Sequence, residues 1–218
     1  MQGLVLIRSE ADCAAWARRW GLALEQWIRV RGWGWRIFLE GDLGAGKTFF
    51  VRHLLGGLGV RERVKSPSFS LLNSYPLACG VMAHHFDFYR LADPRDWLAC
   101  GLEPCFEGPD VVLAEWPQRA WLPAPDWHLQ WQSDDHAGQA AADPPGNSAD
   151  HPESGADHPG SGTDPPGKNA KPPALGPTTR RVRVRAGPRF TDDELHTLHD
   201  LLLAQDDAGA DACRNAVP

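Results

Sequence analysis

The feature that most constrains this chain is an eight-residue stretch, Gly41-Asp42-Leu43-Gly44-Ala45-Gly46-Lys47-Thr48, which matches the pattern G-x-x-x-x-G-K-[ST] at every fixed position. An apolar run, Ile37-Phe38-Leu39, precedes it, and apolar residues at helical spacing follow it as far as Leu58. A glycine-rich turn between a strand and a helix lets successive backbone N–H groups point into one concavity, where the helix N-terminus adds partial positive charge. The stretch therefore predicts a phosphate-binding loop (P-loop) for a nucleoside triphosphate.

Within such a loop the side chains have separate tasks. Lys47 is predicted to reach the β- and γ-phosphates, and the Thr48 hydroxyl is predicted to occupy one position on Mg²⁺. The loop backbone is predicted to surround the phosphates through Gly41, Gly44, Ala45 and Gly46.

A second apolar strand, Val111-Val112-Leu113-Ala114, ends in an acid, Glu115. In a parallel sheet, ligands gather at the carboxyl ends of the strands, so Glu115 is predicted to hold the metal ion that Thr48 also contacts. The chain has no N-K-x-D sequence, the usual guanine-reading signature of GTPases, which favours ATP as the nucleotide.

These elements predict a single α/β domain over residues 1–204, with a mainly parallel central sheet and an inserted hairpin. The hairpin is predicted from Leu71–Leu77 and Val81–Phe88, which flank a short turn. Asp93 and Pro94 are predicted to begin another helix, as its cap and first residue. Residues 205–218 are predicted to be a flexible tail.

The domain is interrupted by the stretch 134–179, which contains nine of the 19 prolines, no aromatic residue and one leucine. Such a segment buries too little apolar surface to offset the entropy lost on ordering, so we expect a disordered insertion in a hairpin loop. The strand after it alternates arginine with valine from Arg181 to Arg185. That row is interpreted as a solvated strand face, with RNA contact as the alternative.

Charge and cysteine content exclude several classes of protein. The insertion has seven acidic residues and two lysines, a net of −5, and the remainder has 21 acidic and 20 basic residues. A nearly neutral fold argues against a large DNA-binding face. The five cysteines have no repeated spacing, which is a poor basis for a zinc site and indicates reduced thiols. No apolar stretch approaches the length of a membrane span, so a soluble, cytoplasmic protein without membrane contact is expected.

Four motifs in order carry a family resemblance: the loop at 41–48, Val64-Lys65-Ser66-Pro67, the run from His85 to Pro94 that begins His-Phe-Asp, and Glu115-Trp116-Pro117. Together they resemble the TsaE family, the bacterial P-loop ATPases of tRNA threonylcarbamoyladenosine synthesis. The resemblance covers about residues 4–132 and 180–187.

The resemblance implies ATP and Mg²⁺ at the loop, with Asp87 orienting or activating the attacking water. It implies a switch loop near the γ-phosphate, formed by Ser66, Pro67 and Ser68, and adenine contacts from Glu10 and Arg180. It also implies action on the TsaB–TsaD protein pair, whose TsaD subunit modifies adenosine 37 of tRNAs reading ANN codons. The tRNA would then be an indirect partner.

The chain departs from the family pattern at two positions. Phe49 stands where a second threonine is usual, so one hydroxyl near the α-phosphate is missing from the predicted nucleotide site. Ser68 replaces the threonine of the usual Ser-Pro-Thr and keeps the hydroxyl.

Two other functions fit the loop. A small-molecule kinase would use the same phosphate site but needs an acceptor pocket and normally an arginine-bearing lid, and the hairpin region offers only Arg90. A nucleotide-gated interaction module would bind ATP without significant turnover.

Overall fold

The computed structural model describes residues 2–67, 70–133 and 179–203 of the chain. Within these ranges, seven strands form one sheet: β1 (Gln2–Ile7), β2 (Arg36–Glu40), β3 (Leu72–Pro76), β4 (Met82–Asp87), β5 (Val111–Glu115), β6 (Trp127–Ser133) and β7 (Arg180–Ala186). The helices are α1 (Glu10–Arg31), α2 (Lys47–Gly57), α3 (Asp96–Ala99), α4 (Pro104–Glu107) and α5 (Asp192–Leu203), with a 3₁₀ turn at Pro117–Arg119.

The strand order is β1-β7-β6-β2-β5-β4-β3. The four central strands, β6, β2, β5 and β4, are parallel, whereas β3 at one edge and β7 and β1 at the other are antiparallel to their neighbours. This arrangement confirms the predicted α/β class with a parallel centre and an inserted hairpin, β3–β4. The carboxyl ends of the parallel strands meet at one edge, and the P-loop follows β2 there.

Strands β6 and β7 pair antiparallel, with Ser133 opposite Arg180. The long insertion therefore joins two paired strands, as predicted. The insertion itself, apart from Thr179, lies outside the described residues, and so does the predicted tail at 205–218.

Helix α1 begins and ends where its sequence predicts. The Ser9 side chain accepts a hydrogen bond from the Asp12 backbone N–H at 3.1 Å, which satisfies one of the unpaired donors of the first turn. Gly32 follows the last helical residue in the left-handed conformation, with φ 75°.

The sheet separates two apolar cores. On one face, α1, α2 and α5 cover a core rich in tryptophan: Trp16, Trp20, Trp27, Trp35, Trp127 and Trp131. Trp20 packs edge-to-face on Trp127, with ring centroids 5.2 Å apart, a favoured aromatic geometry. On the other face, α3 and α4 cover a smaller core that includes Phe38, Phe86 and Phe106. The heavier core lies under α2 and fixes the helix that the P-loop enters.

The predicted start of the helix after Asp93 is wrong. The helix begins at Asp96, and the Asp93 carboxylate instead accepts a hydrogen bond from the Arg95 backbone N–H at 2.8 Å. This contact belongs to a turn formed by Asp with the residue two positions on, a local alternative to a helix cap.

In the part of the chain that the structure describes, no helix has the length and apolar character that a membrane crossing requires.

Candidate functional site

The loop between β2 and α2 has the backbone shape that its glycines predict. Gly41, Gly44 and Gly46 have φ values of 147°, 77° and 108°, in the region that side-chain-bearing residues rarely adopt. At Gly41 a Cβ atom would lie 2.8 Å from Cβ of Trp131 on the neighbouring strand β6. The first glycine of the loop is therefore required both by backbone conformation and by a close contact with the sheet.

Lys47, the first residue of α2, is folded into the loop. Its side chain is 4% exposed, and Nζ donates hydrogen bonds to the carbonyl oxygens of Gly41 at 2.6 Å and Asp42 at 2.8 Å. Burial lowers the pKa of the Lys47 ammonium below its usual value, and nearby carboxylates, Glu115 foremost, oppose that shift. The loop thus holds a cation beside the N-terminus of α2, where a phosphate would gain from both.

Glu115, at the carboxyl end of β5, is buried and contacts two side chains at once. Its Oε2 accepts a hydrogen bond from the Thr48 hydroxyl at 3.0 Å, and its Oε1 lies 2.9 Å from His85 Nε2. The predicted pair, Thr48 and Glu115, is therefore brought together across 67 residues of sequence. Hydroxyl and carboxylate oxygens are the donors that Mg²⁺ accepts, so these two residues fit the metal that ATP sites use.

Asp87 ends β4 directly beside Glu115, its partner in the parallel register. It is 8% exposed; Oδ2 accepts a hydrogen bond from the Ser66 hydroxyl, and Oδ1 accepts one from the Tyr89 backbone N–H at 3.0 Å. The structure thus brings one residue of the predicted switch loop to the predicted catalytic acid. Pro67 is buried next to Ser66, and Ser68 lies outside the described residues.

The predicted adenine-side residues lie apart from the cluster of Lys47, Glu115 and Asp87. Glu10 begins α1 and Arg180 begins β7, and both lie close enough to Cys13 to influence its ionisation. Burial raises the pKa of the Cys13 thiol to about 12. Phe49 directs its ring at His53 on the next turn of α2, with centroids 4.5 Å apart. Burial lowers the pKa of His53, an effect that Glu10 partly opposes.

Several residues at the site were not predicted. His85 orients Glu115, and its place two residues before Asp87 on the same strand is the signal that could have found it, because alternate residues share a face. Trp116 has φ 57° and ψ 46°, an uncommon conformation for a bulky residue, and its ring centre lies 4.0 Å from Lys47 Nζ. Arg119 lies 5.8 Å from the same ring and 5.2 Å from that of Tyr89.

Comparison with known proteins agrees with this geometry. A family model described as "Threonylcarbamoyl adenosine biosynthesis protein TsaE" matches residues 7–141. A tRNA threonylcarbamoyladenosine biosynthesis protein TsaE from Treponema pallidum is 37% identical over 120 residues, which cover 55% of this chain and 82% of the relative. The Haemophilus influenzae protein of the same name is 43% identical over 83 residues, 38% of this chain and 52% of the relative. In the Bacillus subtilis protein of that name, 81 residues are 43% identical, 37% of this chain and 49% of the relative.

The chain therefore spans about half the length of the Haemophilus and Bacillus relatives. Among solved structures, Bacillus subtilis YdiB aligns with 92% of this chain and 94% of its own, at a TM-score of 0.48 and 19% identity. The family model covers more than half of the chain, including the whole loop. The chain belongs to the TsaE family of tRNA threonylcarbamoyladenosine biosynthesis proteins.

Proposed function

We propose that this protein is a Mg²⁺-dependent ATPase that supports threonylcarbamoylation of adenosine 37 in tRNAs reading ANN codons by acting on the TsaB–TsaD complex. The observation that carries the proposal is the convergence of Lys47, Thr48, Glu115 and Asp87 at the carboxyl edge of the parallel strands. These groups match the needs of phosphoryl transfer to water, which are charge neutralisation and a positioned nucleophile.

Phosphate binding falls to the loop and to Lys47. The loop amides and the N-terminus of α2 contact the phosphate oxygens, and the Lys47 ammonium moves from the carbonyls of Gly41 and Asp42 toward the β- and γ-phosphates. Because the lysine is already desolvated, little further dehydration is needed to form that ion pair.

Thr48 and Glu115 hold the metal ion through the two oxygens that hydrogen-bond each other at 3.0 Å. When bound, Mg²⁺ supplies charge neutralisation at the phosphates. His85 fixes the other oxygen of Glu115, so the carboxylate keeps one orientation whether or not Thr48 is engaged elsewhere.

Asp87 orients the attacking water. Its carboxylate lies beside Glu115 in the register and is held by Ser66 and by the Tyr89 backbone N–H. The hydrogen bond from Ser66 links the segment before residue 68 to this acid, so a change in the γ-phosphate can reach that segment through one contact.

Family membership supports the pathway, because the relatives carry the name of tRNA threonylcarbamoyladenosine biosynthesis. In the proposed cycle, ATP hydrolysis resets the TsaB–TsaD complex between turnovers.

The test is ATP hydrolysis by the purified protein, alone and with TsaB–TsaD and tRNA, beside the Asp87→Asn variant. We expect hydrolysis that rises with the complex and disappears in the variant. Phosphate transfer to a metabolite in preference to water would make the protein a kinase instead. Binding without turnover under every condition would make it a nucleotide-gated module.

A further inference from the structure

The arginine row of β7 consists of Arg181, Arg183 and Arg185. These residues alternate with Val182 and Val184, which are fully buried in the tryptophan-rich core under α1, α2 and α5. Because alternate side chains of a strand point to opposite faces, the arginines project from the other face, roughly 7 Å apart. The row lies on the same face as α3 and α4.

That face is covered over only part of its width. The core under α3 and α4 contains residues of β2, β4 and β5, and none of its described members comes from β1, β6 or β7. Leu4 of β1, the cross-strand neighbour of Arg183, is 53% exposed, and Arg185 is also exposed. Among residues 2–67, 70–133 and 179–203, the three strands β1, β7 and β6 thus present an outward face with the arginine row along its middle.

The neighbours of the row do not match its charge. The six residues opposite the arginines on the two adjacent strands include no acid: Gln2, Leu4, Leu6, His128, Gln130 and Gln132. On a solvated sheet face, opposite charges across strands are the stabilising arrangement. An acid of this face on β2, Glu40, accepts a hydrogen bond from Gln130 at 3.0 Å and lies 2.8 Å from His128 Nε2.

We propose that this face binds the phosphate backbone of RNA. The inference takes its partner class from the family's tRNA pathway, but it is independent of ATP hydrolysis. An RNA strand carries one negative charge per nucleotide, so a few nucleotides present several charges along the roughly 14 Å row. Glutamine and histidine side chains on β6 add hydrogen-bonding groups for phosphate and sugar oxygens.

The acidic insertion of the same chain is a poorer match for the row. It is joined to the ends of β6 and β7 and has a net charge of −5. However, its repeated acids, Asp143, Asp150, Asp157 and Asp164, recur only every seven residues. That linear charge density is far below that of RNA, and favours the nucleic acid as the occupant.

The experiment measures binding of a fluorescently labelled, unmodified tRNA transcript by anisotropy, over salt concentrations from low to physiological. It uses the full chain, the double variant R183Q/R185Q and the control R29Q/R31Q. The control removes two exposed arginines at the same spacing, but these already pair with Glu25 and Glu194. Thermal melts establish that all three proteins are folded.

For the full chain we expect log K to fall with log salt at a slope of about −2, the value for three contacts to a single strand. R183Q/R185Q should bind at least about tenfold more weakly at low salt, with a slope shallower by about 1 for each arginine removed. R29Q/R31Q should stay within about twofold of the full chain, because its arginines lie outside the row.

Absence of tRNA binding at low salt, or equal binding by R183Q/R185Q and the full chain, overturns the proposal. Binding that appears only after a short turn replaces residues 134–178 would assign the face to the insertion, and overturns RNA as its occupant. Lys47→Ala should lose ATP affinity and keep tRNA affinity. A full chain that binds tRNA but not ATP would therefore contradict the proposed ATPase and leave this inference standing.

Discussion

Buried charge lies at both ends of the parallel strands, but its balance differs between them. At the carboxyl ends, two buried carboxylates, Asp87 and Glu115, share their surroundings with one ammonium, Lys47. At the amino ends, one carboxylate, Asp126, lies between two guanidinium groups: Arg189 Nη1 at 3.1 Å and Arg36 Nε at 3.5 Å.

The difference separates a structural charge from a functional one. Asp126 is fully buried and also accepts the Arg36 backbone N–H at 2.8 Å, so it joins β2 to the start of β6 with partners already in place. At the other end the excess is negative, and a divalent cation would offset it. A buried carboxylate matched by its own chain stabilises a fold, whereas an unmatched pair provides a place for an ion.

The largest expected effect would break the amino-end arrangement. Asp126→Ala leaves two guanidinium groups without their shared partner, and removing one member of a buried ion pair lowers the free energy of unfolding by about 3–5 kcal/mol. Chemical denaturation measures it. The matched control is Asp93→Ala, whose exposed carboxylate pairs with Arg95 at 3.0 Å and should barely change the midpoint. Equal losses in the two variants would contradict the structural role of Asp126.

The next effect sharpens the carboxyl end. Asp87→Asn keeps the shape of the side chain but removes the charge that orients water, so hydrolysis should fall at least about 100-fold. ATP affinity, measured by titration calorimetry, should stay within about threefold, and the unfolding midpoint should not fall. Asp93→Asn, on an exposed turn, serves as the control for hydrolysis. Normal turnover by Asp87→Asn would remove this residue from the proposed chemistry.

A smaller effect is expected at Lys47. Lys47→Ala removes a charged donor to the phosphates, a contribution of about 1.5–3 kcal/mol that corresponds to roughly tenfold to 150-fold in ATP affinity. The fold should tolerate the change, since burial of the ammonium already disfavours its charged form. Lys65→Ala is the control, because Lys65 is exposed outside the loop. Unchanged ATP binding by Lys47→Ala would refute the loop assignment.

The contrast between the two ends also shows what the sequence can predict. The loop, Lys47, Thr48 and Glu115 follow from local pattern, since each lies at a recognisable junction of strand with turn or helix. The partners of Asp126 do not, because Arg36 and Arg189 are 90 and 63 residues away and meet only when the strands are ordered in the sheet.

The same limit applied at the site. The His85–Glu115 contact depends on β4 lying beside β5, and sequence alone does not give that strand order. The Lys47–Trp116 contact depends on a left-handed backbone at Trp116, which no local rule for tryptophan predicts. The misplaced helix start after Asp93 is a local error, because the same aspartate side chain suits a cap and a turn.

The smallest effect concerns the insertion between β6 and β7. Replacing 134–179 with a short turn should leave the unfolding midpoint and ATP hydrolysis nearly unchanged, because loop length affects stability only weakly. Differential scanning calorimetry and the ATPase assay measure the two quantities. A large drop in melting temperature would show that the segment contributes to the fold.

The contact between Lys47 and Trp116 makes the site optically observable. A positive charge 4.0 Å from an indole ring alters the energy of its excited state, so the emission of Trp116 depends on where the ammonium sits. Nucleotide capture draws that charge toward the phosphates and changes the fluorescence without any added dye. The protein therefore has a built-in probe at the atom that must move first, and stopped-flow mixing can follow its loading in real time.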